Sequence, residues 1–180
     1  MKICSRAALI PALLLFAVTL SAQVNCARTN DEFLKDWSQT KQFTLDVANA
    51  MPGQFYDFKP TPEEMTFGEQ MLHIARANML RFYQITGIKS PFSSDHDLNP
   101  ADREAVIKLL QRSFDYVLAV LPQITAQQLQ KKFPGSPFKD RPEVNARDMI
   151  MNMYVHTAHH RAQCEVYLRL KGITPPAYNF

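Results

Sequence analysis

The chain has 180 residues, of which 46% are hydrophobic and 21% charged, and its formal net charge is +3. This is ordinary globular composition with length enough for one sizeable core. The charge is too evenly balanced for a nucleic-acid-binding module, and no nucleic-acid partner is expected.

In chain order, the first element reads as an export signal. Lys2 and Arg6 form a basic region, Ala7 to Ala22 (AALIPALLLFAVTLSA) is apolar, and Ser21 and Ala22 offer a cleavage point. Pro11 interrupts the run, which is shorter than the ~20 apolar residues a spanning helix needs, so cleavage is favoured over a retained anchor. A lipoprotein reading through Cys26 is weaker, because Gln23-Val24-Asn25 precedes it where small and apolar residues would be expected. Residues 1–22 are therefore assigned to a signal peptide and 23–180 to one domain, periplasmic or secreted. The signal contains Lys2, Arg6 and no acid, so its removal takes two positives from the +3 and leaves +1. Cys4 leaves with it, and the remaining Cys26 and Cys164 are no disulfide framework; two unpaired thiols are expected.

Helix punctuation follows. Asn30 precedes an acid-rich turn and a helical stripe of Phe33, Leu34, Trp37, Lys41, Leu45 and Ala48, which Pro52-Gly53 ends. Thr61-Pro62-Glu63-Glu64 has the form of a cap with proline at the first helical position, predicting a short turn of helix. Thr66-Phe67-Gly68-Glu69 is a capping box opening a second helix that runs to Gly87. Asn99-Pro100-Ala101-Asp102 opens a third, ended by Pro122, and a one- or two-turn helix after Thr125 precedes a connection rich in proline and glycine. Asn145, with Asp148 three residues on, caps a fourth helix reaching Lys171, stopped by Gly172 and Pro175-Pro176. No stretch alternates convincingly enough to be a strand, so the expected fold is all-α, a four-helix bundle.

Three of the five histidines, His156, His159 and His160, crowd into this last helix. At about 100° per residue, Met149, Asn152, Met153, His160, Gln163 and Tyr167 lie within about 60° of His156, and Arg161, Glu165 and Arg169 fall opposite. His156 and His160 are thus expected on the inward face, one turn apart, where two imidazoles can share a cation; His159 sits at the edge. A core pair satisfied by carbonyls is equally compatible with the spacing. The pattern is not HExxH, since Thr157 stands where a metalloprotease places glutamate. For a third ligand the candidates are His73, mid-helix, and His96, in a polar loop, and pattern does not choose between them.

The order of features, FKPTPEEMTFGEQMLHIARAN into the second helix, then HTAHHRAQ and a closing YLRLKGITPP, resembles the DinB/YfiT-like superfamily over essentially the whole mature chain. The resemblance implies a four-helix bundle holding a divalent metal, commonly nickel or zinc. Carried over residue by residue, the ligands would be His73, His156 and His160, with His159 a neighbour. Glu69, one turn before His73, is a weak candidate for proton transfer, but its capping role already explains it. Gln163 and Tyr167 would orient ligands or touch substrate, or serve as core polar residues with local partners.

Some DinB-like proteins are similar to thiol-dependent S-transferases. Small thiol cofactors belong to the reducing cytoplasm, so export shifts the expectation toward a metal-dependent hydrolase acting on a small molecule. A non-catalytic metal-binding or stress-response protein is the alternative. Met149, Met151, Met153 and Tyr154 read as packing, and a Met151/Tyr154 strip would suit a homodimer contact.

Overall fold

The structure is a computed structural model and describes residues 12–92, 97–134 and 143–178, of which 12–30 and 134 by backbone alone. Its four long helices are α1 (Ala12–Ala50), α2 (Phe67–Thr86), α3 (Arg103–Val120) and α5 (Ala146–Leu170); α4 (Ala126–Leu129) is a single turn. α2 packs against α3 and α5, as α1 does, so α1 and α2 stand diagonally across the bundle. The expected four-helix bundle is therefore the fold.

The helix ends form where local chemistry placed them. Thr66 accepts from the Glu69 amide while the Glu69 carboxylate takes the Thr66 amide at 2.7 Å. Two further amides of that turn, Phe67 and Gly68, donate to the Phe58 and Tyr56 carbonyls, so the first turn of α2 leaves no donor orphaned. Gly87, at φ 74°, ends the helix in the left-handed conformation that glycine adopts without penalty. Asp102 caps α3 and Asn145 caps α5, each by accepting an amide three residues on. At the C-terminus of α1 the carbonyls that Pro52 leaves unpaired are taken by Tyr56 Oη, on Ala48, and by the Arg103 guanidinium, on Asn49 and Met51.

The core is aromatic beside the middle of α1, where Trp37, fully buried, lies between Phe33 and Phe114 at centroid distances of 5.8 and 5.0 Å. It continues through Met71, Ile74, Phe82, Leu110, Val117, Met153 and Leu168. Cys164 is a free, buried thiol, and the side chain of Cys26 lies outside the described residues.

Four expectations are corrected: the Asn30 cap, the helix turn at Thr61–Glu64, the absence of strands and the outward-facing Arg161. Asn30 is no cap: α1 begins at Ala12, because 12–30 contain neither glycine nor proline and nothing interrupts the helix there. The assigned cleavage point at Ala22 falls within α1, and residues 1–11 of the assigned signal lie outside the described residues; among those described, no helix is long and apolar enough to cross a membrane. Thr61–Glu64 makes one turn hydrogen bond, Glu64 N to Thr61 O at 3.2 Å, and no helix. Two strands exist, β1 (Lys132–Pro134) and β2 (Glu143–Asn145), paired antiparallel with Phe133 opposite Val144. Three residues are too few to show alternation, and the pairing rests on seating Val144, 6% exposed, against the bundle. Finally, Arg161 does not face water: it is 5% exposed, with its guanidinium 4.3 Å over Phe43 and 3.3 Å from Thr44 Oγ1.

Gly68 marks the closest approach of α2 to the loop before α3. A Cβ there would fall 1.8 Å from the Pro100 carbonyl oxygen, whereas one on Gly53 would meet only the Arg103 side chain at 3.7 Å. Gly68→Ala is expected to cost about 2–3 kcal/mol in denaturant unfolding. Gly53→Ala should stay within about 0.5 kcal/mol of wild type, and equal effects of the two would contradict the assigned contact.

Candidate metal centre

The diagonal placement of α1 and α2 leaves α2 running antiparallel beside α5, and their seam brings distant residues together. The buried residues of α5 are Ala146, Met149, Ile150, Met153, Thr157, Arg161, Cys164, Tyr167 and Leu168. His156 and His160, expected on the inward face, lie beside these residues, half-buried at the seam. His73, from the second turn of α2, meets them there. The ring centroids are 4.9 Å apart for His73–His156, 4.5 Å for His73–His160 and 4.4 Å for His156–His160.

One ligand nitrogen from each ring can be chosen so that all three lie within 4.8 Å of one another. The Nε2 atoms of His73 and His156 face each other at 3.0 Å. Two imidazole nitrogens at that separation share either a proton or a cation; ligands about 2.0–2.1 Å from one zinc ion would stand about this far apart. Burial lowers the pKa of all three rings, and nearby cationic or imidazole groups add to it: Arg81 acts on each, Arg76 on His73, His73 and His159 on both His156 and His160, and His160 on His156. His156 is pushed down to about 3 and His160 to about 4. At neutral pH the rings are uncharged and their lone pairs are available, which is the state a metal requires. His159, the third member of the crowded cluster, is exposed and turned to Gln163 at 2.9 Å. His96 lies outside the described residues.

Behind the rings is a residue that sequence reasoning missed. Gln70, 1% exposed, sits on α2 one turn before His73, with its Oε1 2.6 Å from His160 Nδ1. Its Nε2 donates to Gln163 Oε1 at 2.6 Å and reaches Tyr167 Oη at 3.4 Å, while Tyr167 donates to the Met65 carbonyl. With the amide nitrogen committed to those oxygens, Gln70 Oε1 can only accept, so His160 carries its proton on Nδ1 and offers Nε2. Gln163 and Tyr167 thus act on His160 through Gln70. The available signal was the position of Gln70, three residues before His73 and so on the same helix face. Glu69, the other upstream candidate, is exposed, and its carboxylate is spent on the Thr66 amide.

The family model described as the DinB superfamily matches residues 36–164. A search of curated proteins matched none. Among solved structures, a DinB-like protein from Bacillus subtilis is 22% identical with a TM-score of 0.65, covering 82% of this chain and 96% of that one. A DinB-like protein from Bacillus cereus is 19% identical with a TM-score of 0.67, covering 83% of this chain and 97% of that one. At these identities the likeness speaks for the fold.

The lowered pKa values set a direction for acid stability. The folded rings bind protons more weakly than unfolded histidine at about 6.5, so between that value and the folded pKa the unfolded state holds more protons. Stability of the metal-free protein should therefore fall as pH drops from 7 to 5, a window above most carboxylate titrations. Thermal melts of chelator-treated wild type and His156→Gln should show a shallower slope in the variant; parallel slopes would contradict the protonation assignment.

Proposed function

The chain belongs to the DinB superfamily, and from that premise we propose that the seam between α2 and α5 holds a divalent metal ion through His73, His156 and His160 and serves a metal-dependent reaction on a small molecule. The observation that carries the reading is the convergence of three uncharged imidazoles, with His160 fixed in one tautomer by the buried Gln70. Three neutral ligands suit nickel or zinc and leave the ion's charge uncompensated with positions open. An ion so held acidifies water or a thiol and polarises a carbonyl or phosphoryl oxygen.

The chain's own residues supply the positioning. Gln70 orients His160 and is held in turn by Gln163 and Tyr167, a relay of the kind that sharpens ligand basicity. Of the two reaction classes, hydrolysis is favoured over thiol transfer, because the basic, apolar and small-residue layout of residues 1–22 supports export, away from cytoplasmic thiol cofactors. One observation favours a second reading, a non-catalytic metal-binding or stress-response protein. The group of side chains able to hold an ion contains no carboxylate, and the Glu69 carboxylate is engaged in its capping box, so neither supplies a carboxylate base to the histidines. The partner expected is a small-molecule substrate, and Met151, 52% exposed, offers apolar surface to a second copy.

Elemental analysis of untagged protein should find stoichiometric metal in wild type and loss of it in His156→Ala. In chelator competition, Gln70→Leu should retain the site with affinity weakened about 10–100-fold. A metal-free wild type would end the reading, and equal affinity in Gln70→Leu would remove Gln70 from it. Turnover lost in His73→Ala with the fold intact separates the enzyme from the binding protein. Mass spectrometry of protein recovered from outside the cytoplasm should place the mature N-terminus near Gln23, and a retained Met1 would contradict export.

A further inference from the structure

Among the described residues, the charges that bear on the three histidines are all of one sign. Beyond the imidazoles themselves, these are Arg81, which acts on all three rings, and Arg76, which acts on His73; no described carboxylate does so. Arg81 follows His73 by eight residues, about 80° further round α2, on the side where Gln70, at about 60°, reaches across to α5. The pairs Gln70–Tyr167, His73–His160 and Asn78–Thr157 show the two helices to be antiparallel, so Arg81 lies further along the same seam. Long side chains on a helix lean toward its N-terminus, which carries the Arg81 guanidinium back toward His156. Arg81 Nη1 is buried there without a hydrogen-bond partner, and His156 Nδ1 is likewise buried and unpartnered. When His156 gives Nε2 to the metal it shares with His73, its Nδ1 carries the proton, and both orphaned nitrogens are then donors lacking an acceptor.

A divalent ion among three neutral imidazoles, beside Arg81, leaves a local charge of three positives that no side chain described here offsets. Uncompensated charge in a half-buried site is costly, and the missing component is an anion. We propose that the seam binds a small molecule bearing an oxyanion group, carboxylate or phosphate, which contacts the histidine-held ion and the Arg81 guanidinium together. Arginine suits this role because its planar fork pairs with two oxygens of one carboxylate or phosphate, and an oxygen between Arg81 and His156 would satisfy both orphaned donors. The inference rests on the metal reading above, and names the class of substrate that reading leaves open.

The test uses the metal-containing protein as purified, with metal content measured first for wild type, Arg81→Lys and Arg81→Met. Each is titrated calorimetrically with oxalate, with inorganic phosphate and with oxamide, the uncharged analogue of oxalate. Metal content should be the same in all three proteins. Wild type should bind at least one anion and not oxamide; Arg81→Met should lose about tenfold or more in affinity, the scale of a charge-assisted hydrogen bond, and Arg81→Lys less. Binding of oxalate alone, or of phosphate alone, supports the proposal and identifies the group. Metal-containing wild type that binds neither anion, oxamide binding as tightly as oxalate, or Arg81→Met binding as tightly as wild type, overturns this proposal alone. Wild type without metal overturns the reading beneath it, and this one with it. Arg81→Lys guards against a folding failure of Arg81→Met: if it binds anion exactly as wild type does while Arg81→Met unfolds, the fork geometry is wrong and the proposal falls.

Discussion

A buried amide holds the arrangement together. Gln70 is 1% exposed and lies between α2 and α5, and an amide taken from water costs free energy unless its donors and acceptor are answered. Its partners are His160, Gln163 and Tyr167, all from α5. The seam is therefore registered by polar contacts as well as by packing: a slip of α5 by one residue would strand Gln70 and part the histidines. The same contacts decide which nitrogen of His160 faces outward, so structural registry and ligand chemistry have one cause.

Around that seam the bundle is conventional in its means. Apolar side chains fill the interior, and the helix termini are closed by side chains or neighbouring carbonyls. The seam differs in its electrostatics. Its imidazoles are kept neutral by burial and by cations, and Arg161 on the same helix is instead drawn into the core, against Phe43 and near Glu165. Positive potential that no described acid offsets stabilises nothing in the metal-free chain. It is the kind of local conflict that in folded proteins marks a site made for a ligand.

The resemblance to the DinB superfamily, carried by the entry into the second helix, the histidine segment of the last helix and the closing YLRLKGITPP, agrees with the family match and with the fold. It was also what selected His73 over His96, since residue pattern left the two open. The described structure adds what the motif does not contain: Gln70 behind His160, and Arg81 beyond His156.

The sequence by itself determined where α2, α3 and α5 start, because capping is a contact between residues three apart: Thr66 with Glu69, Asp102 with Ala105 and Asn145 with Asp148 close without help from the rest of the chain. It likewise determined that His156 and His160 share a helix face. It did not reveal the short hairpin, the burial of Arg161 or the partnership of Gln70 with His160. Each depends on residues distant in sequence, up to 117 positions apart for Arg161 and Thr44, whose meeting is set by the packing of the elements. On an isolated α5, Arg161 is a charge that belongs in water. Only once Phe43 and Thr44 of α1 are packed beside it does the interior become its better solvent, and the same packing turns two histidines a turn apart into three that meet.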